Sequence, residues 1–451
     1  MTTFTGTTGN DVFDNSAVST DDVFTTLAGD DSINAGGGND TVDAGVGHDT
    51  ANGGAGTDVL KVNWASSAWG ISYQVIPAVG NAVVLTYSSS YQAIADTLAL
   101  SGSAISLTTQ DGVNTLSYTG MEQYQLQGSD LWGDAWYNSS LSADLLIYQG
   151  TGGSYRGGGA DGYTYYGVYD TFYANWSSTT TAITWVNDPS GMDQTVNGVI
   201  VSGVERLLIS TGSGNDTLNN TAVNTDDVFI SGAGADSISA GGGNDSVDSG
   251  DGNDSVLAGT GDDTVLGGLG DDTLDGGAGS DSINAGGGND TLLDINPIDG
   301  GDDTVDGGIG FDTLNVDWSS SATGINYLAV AGDGSETELS YNSSYTSIRD
   351  AIAGARLELW TRDGSHALRV SNVERYNLQG SNVAEYAYSS DLLIFQGSGG
   401  SYKGGNAAEY TPGSGYDTFY ADWGSTATAI QWVNYPSGVS QLVNGTTITG
   451  V

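Results

Sequence analysis

The chain has 451 residues, with 9 basic against 55 acidic side chains and a formal charge of −46. That balance excludes nucleic acid as a natural partner and makes anionic membrane surfaces repulsive, leaving divalent cations as the obvious counter-ions. Cysteine is absent, so no disulfide framework stiffens the fold. No run approaches the roughly 18 uninterrupted apolar residues of a membrane helix. The start, Met1-Thr2-Thr3-Phe4, lacks the basic and apolar regions of a cleaved secretory leader, which taken bare suggests a cytosolic protein.

Residues 1–61 form a first block, in which glycine-rich turns close on Asp11, Asp22, Asp31, Asp40, Asp49 and Asp58. From Asp22 onward the period is nine residues. Nine residues hold one turn and one short strand, so the block is expected to be a parallel β-solenoid with neighbouring copies stacked. Residues 1–60 hold ten Asp and no Glu, Lys or Arg, because a short carboxylate is what a tight turn accommodates.

Residues 62–207 form an aromatic-rich, mainly β module of two half-repeats. Alternation in Ile71-Ser72-Tyr73-Gln74-Val75 and the Asp111-Gly112 turn predict antiparallel strands. Tyr87, Tyr91, Ile94 and Leu98 fall on one helical stripe. The second half-repeat opens at Asp170, read as a structural turn, and the two halves end alike at Met121-Glu122-Gln123-Tyr124 and Val204-Glu205-Arg206-Leu207. The repeated position of Glu122 and Glu205 at module exits predicts a junction hydrogen bond in preference to catalysis. Pattern alone leaves open whether the module is a sandwich packed on the solenoid or a widened continuation of it.

Residues 208–315 form the second block, with Asp216, Asp227, Asp236, Asp245, Asp254, Asp263, Asp272, Asp281, Asp290, Asp303 and Asp312. Asp11 to Asp22 and Asp216 to Asp227 share the same irregular eleven-residue step, which points to tandem duplication. An insertion at Asp294-Ile295-Asn296-Pro297-Ile298-Asp299 reads as an outward loop. Residues 316–451 repeat the module: Trp318 matches Trp64, Tyr341, Tyr345, Ile348 and Ile352 repeat the helical stripe, Asp363-Gly364 the turn, Glu374 the junction acid and Asp417 the half-repeat start. The sequence stops at Val451, one residue before the expected next glutamate. This reads as a module cut short, with its continuation and export signal missing.

Two adjacent copies, Gly267-Gly268-Leu269-Gly270-Asp271-Asp272-Thr273-Leu274-Asp275 and Gly276-Gly277-Ala278-Gly279-Ser280-Asp281-Ser282-Ile283-Asn284, both read G-G-x-G-x-D-x-U-x, with U a large apolar residue. The glycines permit positive φ and close approach of carbonyl oxygens to a central ion. Hard oxygens, no thiols and almost no imidazole select calcium over softer metals. One buried side chain per nine residues cannot offset the entropy of ordering them, and stacked carboxylates repel, so the blocks are expected to be disordered until calcium binds.

The nonapeptide resembles the hemolysin-type calcium-binding repeat of RTX proteins. The resemblance implies a β-roll with each calcium between stacked turns, held by the motif aspartates and main-chain carbonyls. If alternate copies share each ion, roughly nine or more ions bind. It also implies type I export through an uncleaved C-terminal signal, with folding outside the cell. Aromatic modules interleaved with calcium repeats are similar to those of bacterial surface-layer and adhesin-like RTX proteins.

Nothing supports catalysis. His48 occupies the variable position before a motif aspartate, His366 follows a turn, and Ser154 and Ser401 lack a nucleophile elbow. Tyr163 to Tyr166, with Trp132 and Trp136, could stack on sugars, although duplicated aromatics fit core packing better. The leading expectation is therefore a non-enzymatic, secreted calcium-binding protein that self-associates into a surface layer, filament or adhesin stalk, with cell-surface polysaccharide as a further partner and no membrane insertion. The alternative is a glycan-binding or accessory region of a larger secreted polysaccharide-active enzyme.

Overall fold

A computed structural model describes residues 1–67, 69–100, 104–128, 143–157, 169–294, 301–318, 325–340, 342–352, 356–361, 367–379, 392–394, 400–403, 418–421, 440–443 and 446–449. Trp132, Trp136, Tyr163 to Tyr166, residues 295–299 of the insertion, Tyr341, Asp363, Gly364, His366, Asp417 and Val451 lie outside the described residues. The chain divides into two compact units, residues 1–212 with 217–229 and residues 213–216 with 230–451.

In the second unit Ser237–Gly242, Ser255–Thr260, Thr273–Ala278 and Thr291–Asp294 pair in parallel as successive strands of one sheet. Ser246–Asp248, Thr264–Leu269, Ser282–Gly288 and Asp302–Asp306 do the same in a second sheet. The expected stacking of neighbouring copies is thus corrected: alternate copies pair. One nonapeptide supplies a strand and a reversing turn, so the chain needs two copies to return to the same sheet in the same direction. The apolar position of each copy points inward, with Ile238, Val256, Leu274 and Leu292 facing Val247, Val265, Ile283 and Val305, none more than 4% exposed. The first unit repeats the device. Val23–Thr25, Thr41–Asp43 and Val59–Asn63 form one sheet, and Val12–Asp14, Ser32–Asn34 and His48–Asn52 the other.

The aromatic modules are a widened continuation of this path. Val59–Asn63 pairs in parallel with Gln123–Gln127, which pairs with Gly153–Arg156 and then Val199–Ser202. The register lines up Val62, Leu126, Tyr155 and Val201 as one buried column. Val316, Leu378, Tyr402 and Ile448 repeat it in the second unit. The predicted antiparallel strands are confined to detours from this path. Ile71–Ile76 pairs with Val83–Leu85 and with Ala104–Thr109, which pairs with Thr115–Thr119 before that strand rejoins the roll on His48–Asn52. The Asp111-Gly112 turn closes the last hairpin, with Gly112 at φ +72°.

Both helical stripes form short helices, α1 (Tyr91–Leu98) and α2 (Tyr345–Ile352). The Ser90 hydroxyl caps α1 by accepting from the Ala93 N–H, and the helix buries Ile94. Aromatics fill the modules: Phe172 packs edge-on to Trp185 at 5.7 Å and to Tyr155 at 5.5 Å, while Trp64, Trp176 and Trp318 are buried. Among the described residues no helix is long and apolar enough to cross a membrane.

Candidate metal centre

The glycine turns bring the motif aspartates into continuous ladders. The backbone N–H of Asp236 donates to Oδ1 of Asp254 at 2.8 Å, Asp254 to Asp272 at 2.9 Å, Asp272 to Asp290 at 2.9 Å and Asp290 to Asp312 at 2.9 Å. Asp216 joins the same ladder through Asp236 at 2.7 Å. On the opposite edge Asp245 donates to Asp263, Asp263 to Asp281 and Asp281 to Asp303 at 2.7–2.9 Å. In the first unit the ladders run Asp22, Asp40, Asp58 and Asp11, Asp31, Asp49. Of the seventeen expected ligands, Asp11 is half-buried and the others are at most 5% exposed.

Only one carboxylate oxygen of each pair is consumed in this way. Oδ2 of Asp31, Asp40, Asp58, Asp236, Asp254, Asp272, Asp290 and Asp312 is buried without a hydrogen-bond partner. A buried carboxylate with an idle oxygen is costly unless a cation meets it. Its burial and the neighbouring carboxylates push Asp49 and Asp254 up to about 6 and Asp272 up to about 7. Beside these oxygens the turns stack so closely that a Cβ on Gly268, at φ +104°, would collide with the carbonyl oxygen of Gly250. Among the described residues no three acidic or imidazole side chains converge on a point. A full oxygen shell therefore has to combine carboxylates with main-chain carbonyls, a donor set that suits calcium and offers nothing to zinc or copper.

Three aspartates differ from those with an idle oxygen: Asp11, whose Oδ2 accepts from the Thr7 N–H at 2.6 Å, and the pair Asp22 and Asp227. Asp22 and Asp227 stand at the end of the irregular step, and there an asparagine amide occupies Oδ2: Asn15 Nδ2 at 2.8 Å from Asp22 and Asn220 Nδ2 at 2.6 Å from Asp227. Their Oδ1 atoms accept from Thr2 and Leu207 N–H groups at 2.7 and 2.8 Å. Both oxygens are already engaged without an ion.

The junction glutamates take the ladder's place where the rolls and half-modules end. Glu122 accepts from the Asp58 N–H at 2.9 Å, Glu205 from Asp170 at 2.8 Å and Glu374 from Asp312 at 2.9 Å. The longer side chain spans the wider step into a module strand. Asp170 itself accepts from the Asp144 N–H at 2.7 Å, so a ladder-like bond persists within the first module.

A second, outer ladder escaped the sequence reading. The residue preceding each motif aspartate bonds in the reverse sense, the later N–H donating to the earlier side chain: Asp262 to Asn244 at 3.0 Å, Ser280 to Asp262 at 2.9 Å, Asp271 to Asn253 at 3.0 Å and Asn289 to Asp271 at 2.7 Å. The recurrence of Asn or Asp at this nominally variable position was its trace in the sequence. His48 occupies one such position, exposed, with Nδ1 2.8 Å from the Thr115 hydroxyl.

The family model of the RTX calcium-binding nonapeptide repeat (4 copies) matches residues 16–51, 25–60, 221–256, 257–292 and 299–315. The chain carries RTX calcium-binding repeats. The RTX matches fall on the two blocks where the idle carboxylate oxygens stand in register, and none falls within residues 62–207 or 316–451. Comparison with curated proteins finds no match. RTX repeats bind calcium through a β-roll, and such repeats are typical of secreted proteins.

Proposed function

We propose that the chain is a secreted structural protein whose RTX rolls harden on calcium and whose aromatic modules join copies into an extracellular assembly such as a surface layer, filament or adhesin stalk. The observation that carries this reading is the register of buried, unpartnered Asp Oδ2 atoms at the roll edges. Their mutual repulsion keeps the blocks open where calcium is scarce, and its neutralisation by calcium closes them. This behaviour suits a chain exported unfolded by a type I route. The described aromatics support a scaffold in preference to chemistry, since Tyr73, Tyr155, Tyr327 and Tyr402 are fully buried.

Electron microscopy of concentrated protein tests the assembly. Ordered sheets or filaments are expected in calcium and dispersal on adding chelator, whereas dispersed monomers in calcium at every concentration would overturn it.

A further inference from the structure

The hairpin detours of the two units are copies in register: Tyr73 pairs with Leu85 as Tyr327 pairs with Leu339, and Gln74 with Val84 as Leu328 with Glu338. Ala82 therefore corresponds to Glu336, and Val84 to Glu338. Val83–Leu85 and Glu336–Leu339 are each the last strand of their sheet. An edge strand is a ready template for another strand unless charge, proline or a cover blunts it. In the second unit Glu336 and Glu338, both exposed, do so.

The first unit has no such guard. Ile76 is 48% exposed, Val79 92%, Val83 36% and Val84 56%, and no charged side chain occurs between Val62 and Ala95. In a chain of net charge −46, such an uncharged stretch offers a second copy little repulsion. A basic partner would be drawn to the acidic faces instead. The charged copy of this edge, brought against the valines, would have Glu336 and Glu338 desolvated without a counter-ion. The same strand of another molecule is neutral, apolar and already extended, and a two-fold axis at Val84 sets that residue opposite its own copy and Val83 opposite Leu85.

We infer that the Val83–Leu85 edge is a self-association surface, on which the same strand of a second copy pairs antiparallel about a two-fold axis. This contact rests on the assembly reading above and supplies its symmetry. Glu336 and Glu338 bar the corresponding edge of the second unit from the same pairing.

Sedimentation velocity of the calcium-loaded full chain tests it. Wild type should associate with rising concentration, and Ala82→Glu with Val84→Glu, which transplants the guard, should weaken association by roughly tenfold or more through opposed like charges with an unchanged far-ultraviolet circular dichroism spectrum. Val84→Glu and Val84→Lys should each associate more weakly than wild type when alone and recover wild-type association when mixed in equal amounts. Removing the guard with Glu336→Ala and Glu338→Val should yield species larger than the wild type forms. Association of the Ala82→Glu, Val84→Glu chain at wild-type strength would overturn the edge contact and leave the assembly reading standing. A wild type that stays monomeric at every concentration would overturn both, and failure of the mixed chains to pair would overturn the two-fold arrangement.

Discussion

A rung of the second roll and a rung of the first module differ in what fills them. Around Leu274 and Ile283 the roll has one large buried aliphatic side chain per strand and buried carboxylates at its edges. Around Phe172 the module has Tyr155, Trp176 and Trp185, each in ring contact with Phe172 and none more than 3% exposed. The two regions share strand pairing, so the difference predicts what holds each one: cation neutralisation in the roll, packed apolar area in the module.

Chelation is the strongest way to break that comparison. In excess chelator the amides of Ser255–Thr260 and Thr273–Ala278 should lose hydrogen-exchange protection by roughly a hundredfold or more, while those of Thr171–Asn175 and Arg206–Ser210 keep most of theirs. Equal loss in both regions would show that the module has no stability of its own. Phe172→Ala should lower stability by about 3–5 kcal/mol, with or without calcium, as read by denaturant unfolding followed by tryptophan fluorescence.

Within the roll, Asp272→Asn should reduce the number of calcium ions bound in titration calorimetry by about one. Asp227→Asn should leave it unchanged, because Asn220 already holds that carboxylate.

The smallest effect concerns pH in the absence of calcium. Asp49, Asp254 and Asp272 titrate near 6 to 7 in the fold and near 4 when unfolded. The folded state therefore binds more protons, and the resulting stabilisation is full below about pH 4 and lost as pH rises through about 6–7. Chelated protein should thus regain part of its β circular dichroism as pH falls from about 7.5 to 5. With calcium present the same protonation competes with the ion and weakens binding.

How much of this was legible depended on whether the residues repeat. The nine-residue register exposed the turns, the inward Leu and Val column and the ladder aspartates, and the duplicated Glu122, Glu205 and Glu374 announced a shared junction bond. Both helices could be read because Tyr91 and Ile94 recur in spacing at Tyr345 and Ile348. The parallel course of the modules was hidden because Val62, Leu126, Tyr155 and Val201 are scattered along the chain and only strand register unites them. The closure of Asp22 and Asp227 was hidden as well, since Asn15 and Asn220 sit in the irregular step and look like ordinary turn residues.

Glu122 and Glu374 reach from modules with their own packed interiors to the terminal aspartate of each roll. A collapsed module would thereby present a pre-positioned acceptor to the last roll rung before any other rung exists. Nucleation, the slow step for a structure with so little interior, would be bypassed, and each roll would elongate from its seeded C-terminal end toward its start as calcium arrives.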